Sequence, residues 1–168
     1  TDSWGDWYAG WNVNAKRIFA DYRLYVDGER LLRKNAHVRV YPDRLMRHYD
    51  KAVETFCLLD KPRLLYVRMD SIQGKLVSLM LEGENVTDAR KDGNSVVYTA
   101  KESPENVVRM APANGVAIEF NDSIMTVPAS SGGFLIAFGT EEDSREAIED
   151  FRKEGENWLT ERSRRIQS

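Results

Sequence analysis

The chain has 168 residues, with 24 Lys and Arg against 27 Asp and Glu for a formal net charge of −3, and 42% of its residues are hydrophobic. That length and apolar share suit one folded domain and exclude a disordered or collagen-like chain. No apolar run approaches the roughly 18 residues of a membrane-spanning helix, and the single Cys57 forms no intramolecular disulfide, which favours a reducing compartment.

Residues 1–20 read as a Trp-rich extension ahead of a domain over 21–168. Its start, Thr1-Asp2-Ser3-Trp4, lacks the basic and apolar stretches of a signal peptide, so a cytoplasmic location is expected. Trp4, Trp7, Tyr8 and Trp11 crowd into this segment. Packing onto the domain as an irregular cover and insertion into a membrane interface or partner groove both fit such aromatics.

The domain opens with a hairpin over 22–33, because Asp27-Gly28 supplies the positive φ angles of a two-residue turn. A basic window overlaps it. From residue 28 to 51, Arg30, Arg33, Lys34, Arg39, Arg44, Arg47 and Lys51 face only Glu29, Asp43 and Asp50, a local balance of +4. Strand alternation turns Arg39 away from the face of Val38 and Val40. Guanidinium and ammonium groups gathered near a loop make a phosphate site, whereas a solvated face neutralised by Asp43 and Asp50 is the plainer reading.

Further strands are predicted at 38–41, 53–59, 64–69, 76–81, 95–100, 116–120, 124–127 and 134–138, separated by turn-forming residues. This spacing points to an antiparallel barrel or sandwich. Cys57, inside an apolar run, reads as a buried small hydrophobe, and Ser130–Gly133 as a connection between strands. Thr140 with acids behind it caps a long helix expected over about 141–164, whose stripe is Ile148, Phe151, Gly155, Trp158 and Leu159. The fold class is therefore mainly β with a C-terminal α-helix.

Catalytic signatures are missing: there is no nucleophile elbow, zinc-binding helix motif, phosphate loop or dinucleotide fingerprint, and the two His lie inside the basic window. A non-enzymatic chain without cofactor or metal is expected. The negative total charge and the short basic window argue against nucleic acid.

The stretch Phe134–Phe138, the acidic turn Gly139–Asp143 and the amphipathic run 144–151 resemble the ending of a pleckstrin-homology (PH) domain, and 54–60 with 62–67 look like that family's second and third strands. The overall plan is similar to the acylated PH proteins of apicomplexan parasites, which include phosphatidic acid sensors. The resemblance implies a seven-stranded antiparallel roll or barrel capped by the helix. It also implies a peripheral membrane module that binds anionic phospholipid, phosphatidic acid or phosphoinositide, through Arg33, Lys34, Arg39, Arg44, Arg47 and Lys51. Ile148 stands where that family's helix carries a Trp, and the family's basic signature is only loosely met. Two alternatives accompany it. One is a PH-like protein-interaction module that holds a protein partner at a sheet edge or beside the C-terminal helix. The other rests on Gly5-Asp6-Trp7-Tyr8, which resembles the opening of lipocalins and implies a carrier of a small hydrophobic ligand.

Overall fold

Period-two alternation of apolar and polar side chains places most of the chain in strands, and a run that is apolar at every position marks a strand buried on both faces. The computed structural model describes residues 12–13, 16–17, 19–59 and 63–167. In chain order the strands are β1 (Asn12–Val13), β2 (Lys16–Arg17), β3 (Phe19–Val26), β4 (Glu29–Arg30), β5 (His37–Val40), β6 (Leu45–His48), β7 (Val53–Leu59) and β8 (Leu64–Asp70). They continue with β9 (Leu76–Gly83), β10 (Arg90–Asp92), β11 (Ser95–Thr99), β12 (Asn106–Pro112), β13 (Glu119–Asn121), β14 (Ile124–Pro128) and β15 (Gly133–Thr140), followed by the helix α1 (Glu141–Gln167). The Trp-rich residues Trp4, Trp7, Tyr8 and Trp11 lie outside the described residues.

A seven-stranded roll closed by a helix at one open end is not what forms. The described strands build an eight-stranded antiparallel sheet, ordered β10-β11-β12-β15-β8-β7-β6-β5, and a five-stranded antiparallel sheet, ordered β13-β14-β9-β3-β4, beside the small β1-β2 ladder. The apolar positions of the strands face in two directions, which explains the difference. Leu24, Leu79 and Met125 of the smaller sheet pack with Val67, Met110, Phe134 and Ile136 of the larger one in a single core. The alternate positions Cys57, Leu64, Tyr66, Ala111, Leu135 and Ala137 form a second core with Ala147, Ile148 and Phe151 of α1. The helix thus lies across the outer face of the large sheet, giving three layers. Strand β15, at the centre, is buried from Gly133 through Phe138, as its unbroken apolar run requires. Each large side chain fully buried there contributes about 1.5–3 kcal/mol.

Local chemistry explains the connections. Asp27 and Gly28 adopt φ of 49° and 82°, and Tyr25 and Val26 pair with Arg30 and Glu29 across them. The Thr140 hydroxyl accepts from the Asp143 amide at 3.0 Å and caps α1. Gly155 lets the helix tighten onto its own aromatic stripe, since a Cβ there would stand 2.7 Å from the Phe151 ring.

Gly133 is under the strictest constraint. Its φ is 113°, and an added Cβ would meet the Val67 carbonyl oxygen at 2.1 Å, whereas Gly93, with φ 59°, has open space around it. Gly133→Ala is therefore expected to lower the unfolding free energy by about 3 kcal/mol or more, and Gly93→Ala by about 1 kcal/mol. Urea titration of both variants reads the difference.

Candidate functional site

The basic segment is the natural starting point, and the structure disperses it. Arg33 forks onto the Asp21 carboxylate, with its Nη2 at 2.7 Å, and its guanidinium lies 5.1 Å from the centre of the Tyr22 ring. Arg44 pairs with Asp43 at 2.9 Å and covers Tyr41 at 4.1 Å. Lys51 pairs with Glu29 at 2.5 Å. Lys34 and Arg39 are exposed, without an ion pair among the described residues. The register sets Arg39 opposite Met46, on the other face from Val38 and Val40, as alternation predicts.

Arg47 requires a correction. Expected on a headgroup-binding surface, it is 5% exposed, because β6 turns Leu45 and Arg47 inward between the sheets and Met46 and His48 outward. There its Nη1 donates to Glu54 at 2.9 Å. Glu54 is fully buried and also accepts from the hydroxyls of Tyr22 and, at 2.9 Å, Tyr49. Tyr22 in turn stacks with Phe56, ring centres 6.2 Å apart. The cluster joins β3 of the small sheet to β6 and β7 of the large one. The Nε of Arg47 is buried without a hydrogen-bond partner among the described residues.

A concave surface arises on the opposite, outer face. The first half of α1 packs on β15 and β12, and its second half leaves β6, β7 and β8 partly open. The result is a groove of about 480 Å³ with a floor of Met46, Cys57 and Tyr66 and a wall at Leu159. Trp158 supports that wall by an edge contact to Phe151, which in turn packs on Tyr66 at 4.8 Å between ring centres. Among the described residues the rim carries Arg44, Arg68 and Arg164 against Asp43, Asp70 and Glu156, so three cations meet three carboxylates. Arg68 and Asp70 are already paired at 2.9 Å. An apolar floor with a charge-balanced rim suits an amphipathic surface better than a bare anion, because balanced charge exerts little net pull on an anion.

No protein-family model matches the sequence, and no curated protein matches it either. The groove and the buried cluster therefore rest on geometry alone. Of the predicted site residues only Arg44 reaches the groove. Met46, Tyr66 and Leu159 went unrecognised as its lining, although Leu159 belongs to the predicted helix stripe. Glu54 carries a readable signal: an acid near the start of an apolar strand run needs a buried partner.

The buried phenols provide a test. Burial first, then the neighbouring Glu54 charge, pushes Tyr22 and Tyr49 above the usual phenol range; burial pushes Tyr66 up to about 12, and Tyr98 upward. A phenol whose folded value exceeds its unfolded one contributes stability that is complete below the unfolded value, about pH 10, and is lost as pH rises through the folded value. Near-ultraviolet titration is expected to leave Tyr22, Tyr49 and Tyr66, three of the seven tyrosines, neutral at about pH 10.5 and to ionise them together with alkaline unfolding. Seven phenols titrating independently in a still-folded protein would contradict the burial.

Proposed function

We propose that this domain is a non-catalytic interaction module that holds a polypeptide segment in the groove between the outer face of the large sheet and the second half of α1. The observation that carries this reading is the charge parity of the groove rim above an apolar floor. Polypeptide offers both signs of charge and apolar side chains at alternate positions, which suits such a lining. An anionic phospholipid surface calls instead for unpaired cations, each worth about 1 kcal/mol near the membrane. Four of the six cations expected for that role, Arg33, Arg44, Arg47 and Lys51, are paired with carboxylates of their own. The phospholipid reading keeps Lys34 and Arg39 as its support. A carrier role would use an enclosed apolar cavity between the sheets, where the described residues Leu79, Met110, Met125 and Phe134 pack in one core. No described helix is long and apolar enough to cross a membrane.

A photo-reactive benzophenone amino acid at Thr160, on the groove rim, tests the proposal in an extract of the source cells, with the same group at Asn121 on the far sheet as control. Covalent polypeptide adducts are expected from position 160 and not from 121, and Leu159→Asp should reduce them about tenfold, equivalent to about 1.4 kcal/mol. Equal adducts from both positions would overturn the groove reading. Co-sedimentation with phosphatidic acid vesicles that is lost in Arg39→Ala would favour the phospholipid reading instead.

A further inference from the structure

Away from the groove, a second buried cation lies beneath α1 with part of its hydrogen-bonding capacity unused. Arg109 is on β12, where alternation sends it to the outer face beside Ala111, and it is 3% exposed because the first turns of α1 cover it. Its Nε donates to the Ser144 hydroxyl at 3.2 Å, and its Nη1 to Asp92 at 2.9 Å and to the Ser95 hydroxyl at 2.8 Å. Its Nη2 is buried with no partner among the described residues. A guanidinium has five N–H donors, and leaving those of one nitrogen unmet in the interior is unfavourable.

Arg109 borders a cavity of about 200 Å³ between β10–β12 and α1. Arg145 and Arg152 come to the same cavity from α1, and Asp92 and Glu149 are the carboxylates on its wall. Three cations thus face two anions. Asp92 is engaged by Arg109 and, at 3.8 Å, by Arg145. Arg152 donates to the Pro112 carbonyl at 2.7 Å. Its burial holds it below the usual guanidinium range, with only the Glu149 charge opposing, so an added negative charge would be favourable beside it.

We propose that this cavity binds a small oxyanion of the phosphate class, whose oxygens pair with Arg145 and Arg152 of α1 beside the buried charge of Arg109. Paired guanidinium groups match the fork geometry of phosphate oxygens. The site is independent of the groove, since it uses the β10–β12 flank of the large sheet whereas the groove uses β6–β8.

The experiment is a titration of the whole chain with inorganic phosphate at constant ionic strength, read by the arginine Nε–H resonances in ¹H–¹⁵N spectra and by Tm. Saturable shifts of the Arg109, Arg145 and Arg152 resonances are expected, and phosphate at about ten times Kd should raise Tm by a few degrees, as mass action requires. Arg152→Ala and Arg145→Ala alter side chains at the cavity wall without removing the buried Arg109, and each should weaken binding at least about fivefold, near 1 kcal/mol. A second arm with phenyl phosphate separates the two sources: tighter binding than inorganic phosphate assigns the site to phosphate esters, and weaker binding assigns it to the free ion. Shifts equal to those produced by chloride, or a Tm rise in both variants as large as in the unaltered chain, would overturn the proposal.

Discussion

A carboxylate with no exposure to water sits between the two sheets, and much of the architecture follows from how it is neutralised. Burying an isolated charge costs several kcal/mol, so Glu54 needs a cation and further donors within reach. Arg47 supplies the cation from β6, Tyr22 a hydroxyl from β3, and Tyr49 another from the turn that leads into β7. Because these donors come from both sheets, the cluster ties the edge of the large sheet to the small one. It also takes Arg47 off the surface and orders Tyr22, on which Arg33 then lies. Of what reads in the sequence as a basic patch, Arg47 is charge that joins the two layers.

The fold is legible in the sequence where its determinants act over a few residues. The Asp27-Gly28 hairpin, the strand over 53–59, the Thr140 cap and the helix stripe all depend on near neighbours, and all are present. Strand β10 falls in a polar stretch that reads as a turn, and β6 and β12 are hidden because each places an arginine, Arg47 or Arg109, at a buried position, which breaks the expected alternation. Their burial is possible only because Glu54, Asp92, Ser95 and Ser144 arrive from other elements, and such long-range pairing leaves no periodic trace. The expected seven-stranded roll differs from the two stacked sheets for a related reason. Strand spacing reports that strands exist, while the division of β3, β9 and β14 from β7, β8 and β15 is decided by which apolar faces meet. The sequence suggests either a sheet edge or the side of the C-terminal helix for a partner, and it does not show the groove's lining, in which Met46, Cys57 and Tyr66 meet Leu159 from far along the chain.

The proposed binding surfaces both lie on the outer face of the large sheet. Helix α1 crosses that face obliquely enough to leave one cavity on each flank, because its first half packs on β12 and β15 and its second half only borders β6–β8. The two cavities differ in charge. The groove on the β6–β8 flank is balanced and has an apolar floor; the cavity on the β10–β12 flank has an excess cation and a buried guanidinium. Polypeptide suits the first and a small oxyanion the second, and the same helix provides a wall for both.

The central claim is that Arg47 and Glu54 act as one buried unit rather than as a surface cation and its incidental neighbour. A double-mutant cycle of Arg47→Met and Glu54→Leu, followed by urea unfolding, tests it most directly. Each single change should cost about 3–5 kcal/mol by leaving its partner charged and buried, and the double variant should be more stable than either single one. Losses that simply add would contradict the account and return Arg47 to the pool of cations free to meet a ligand.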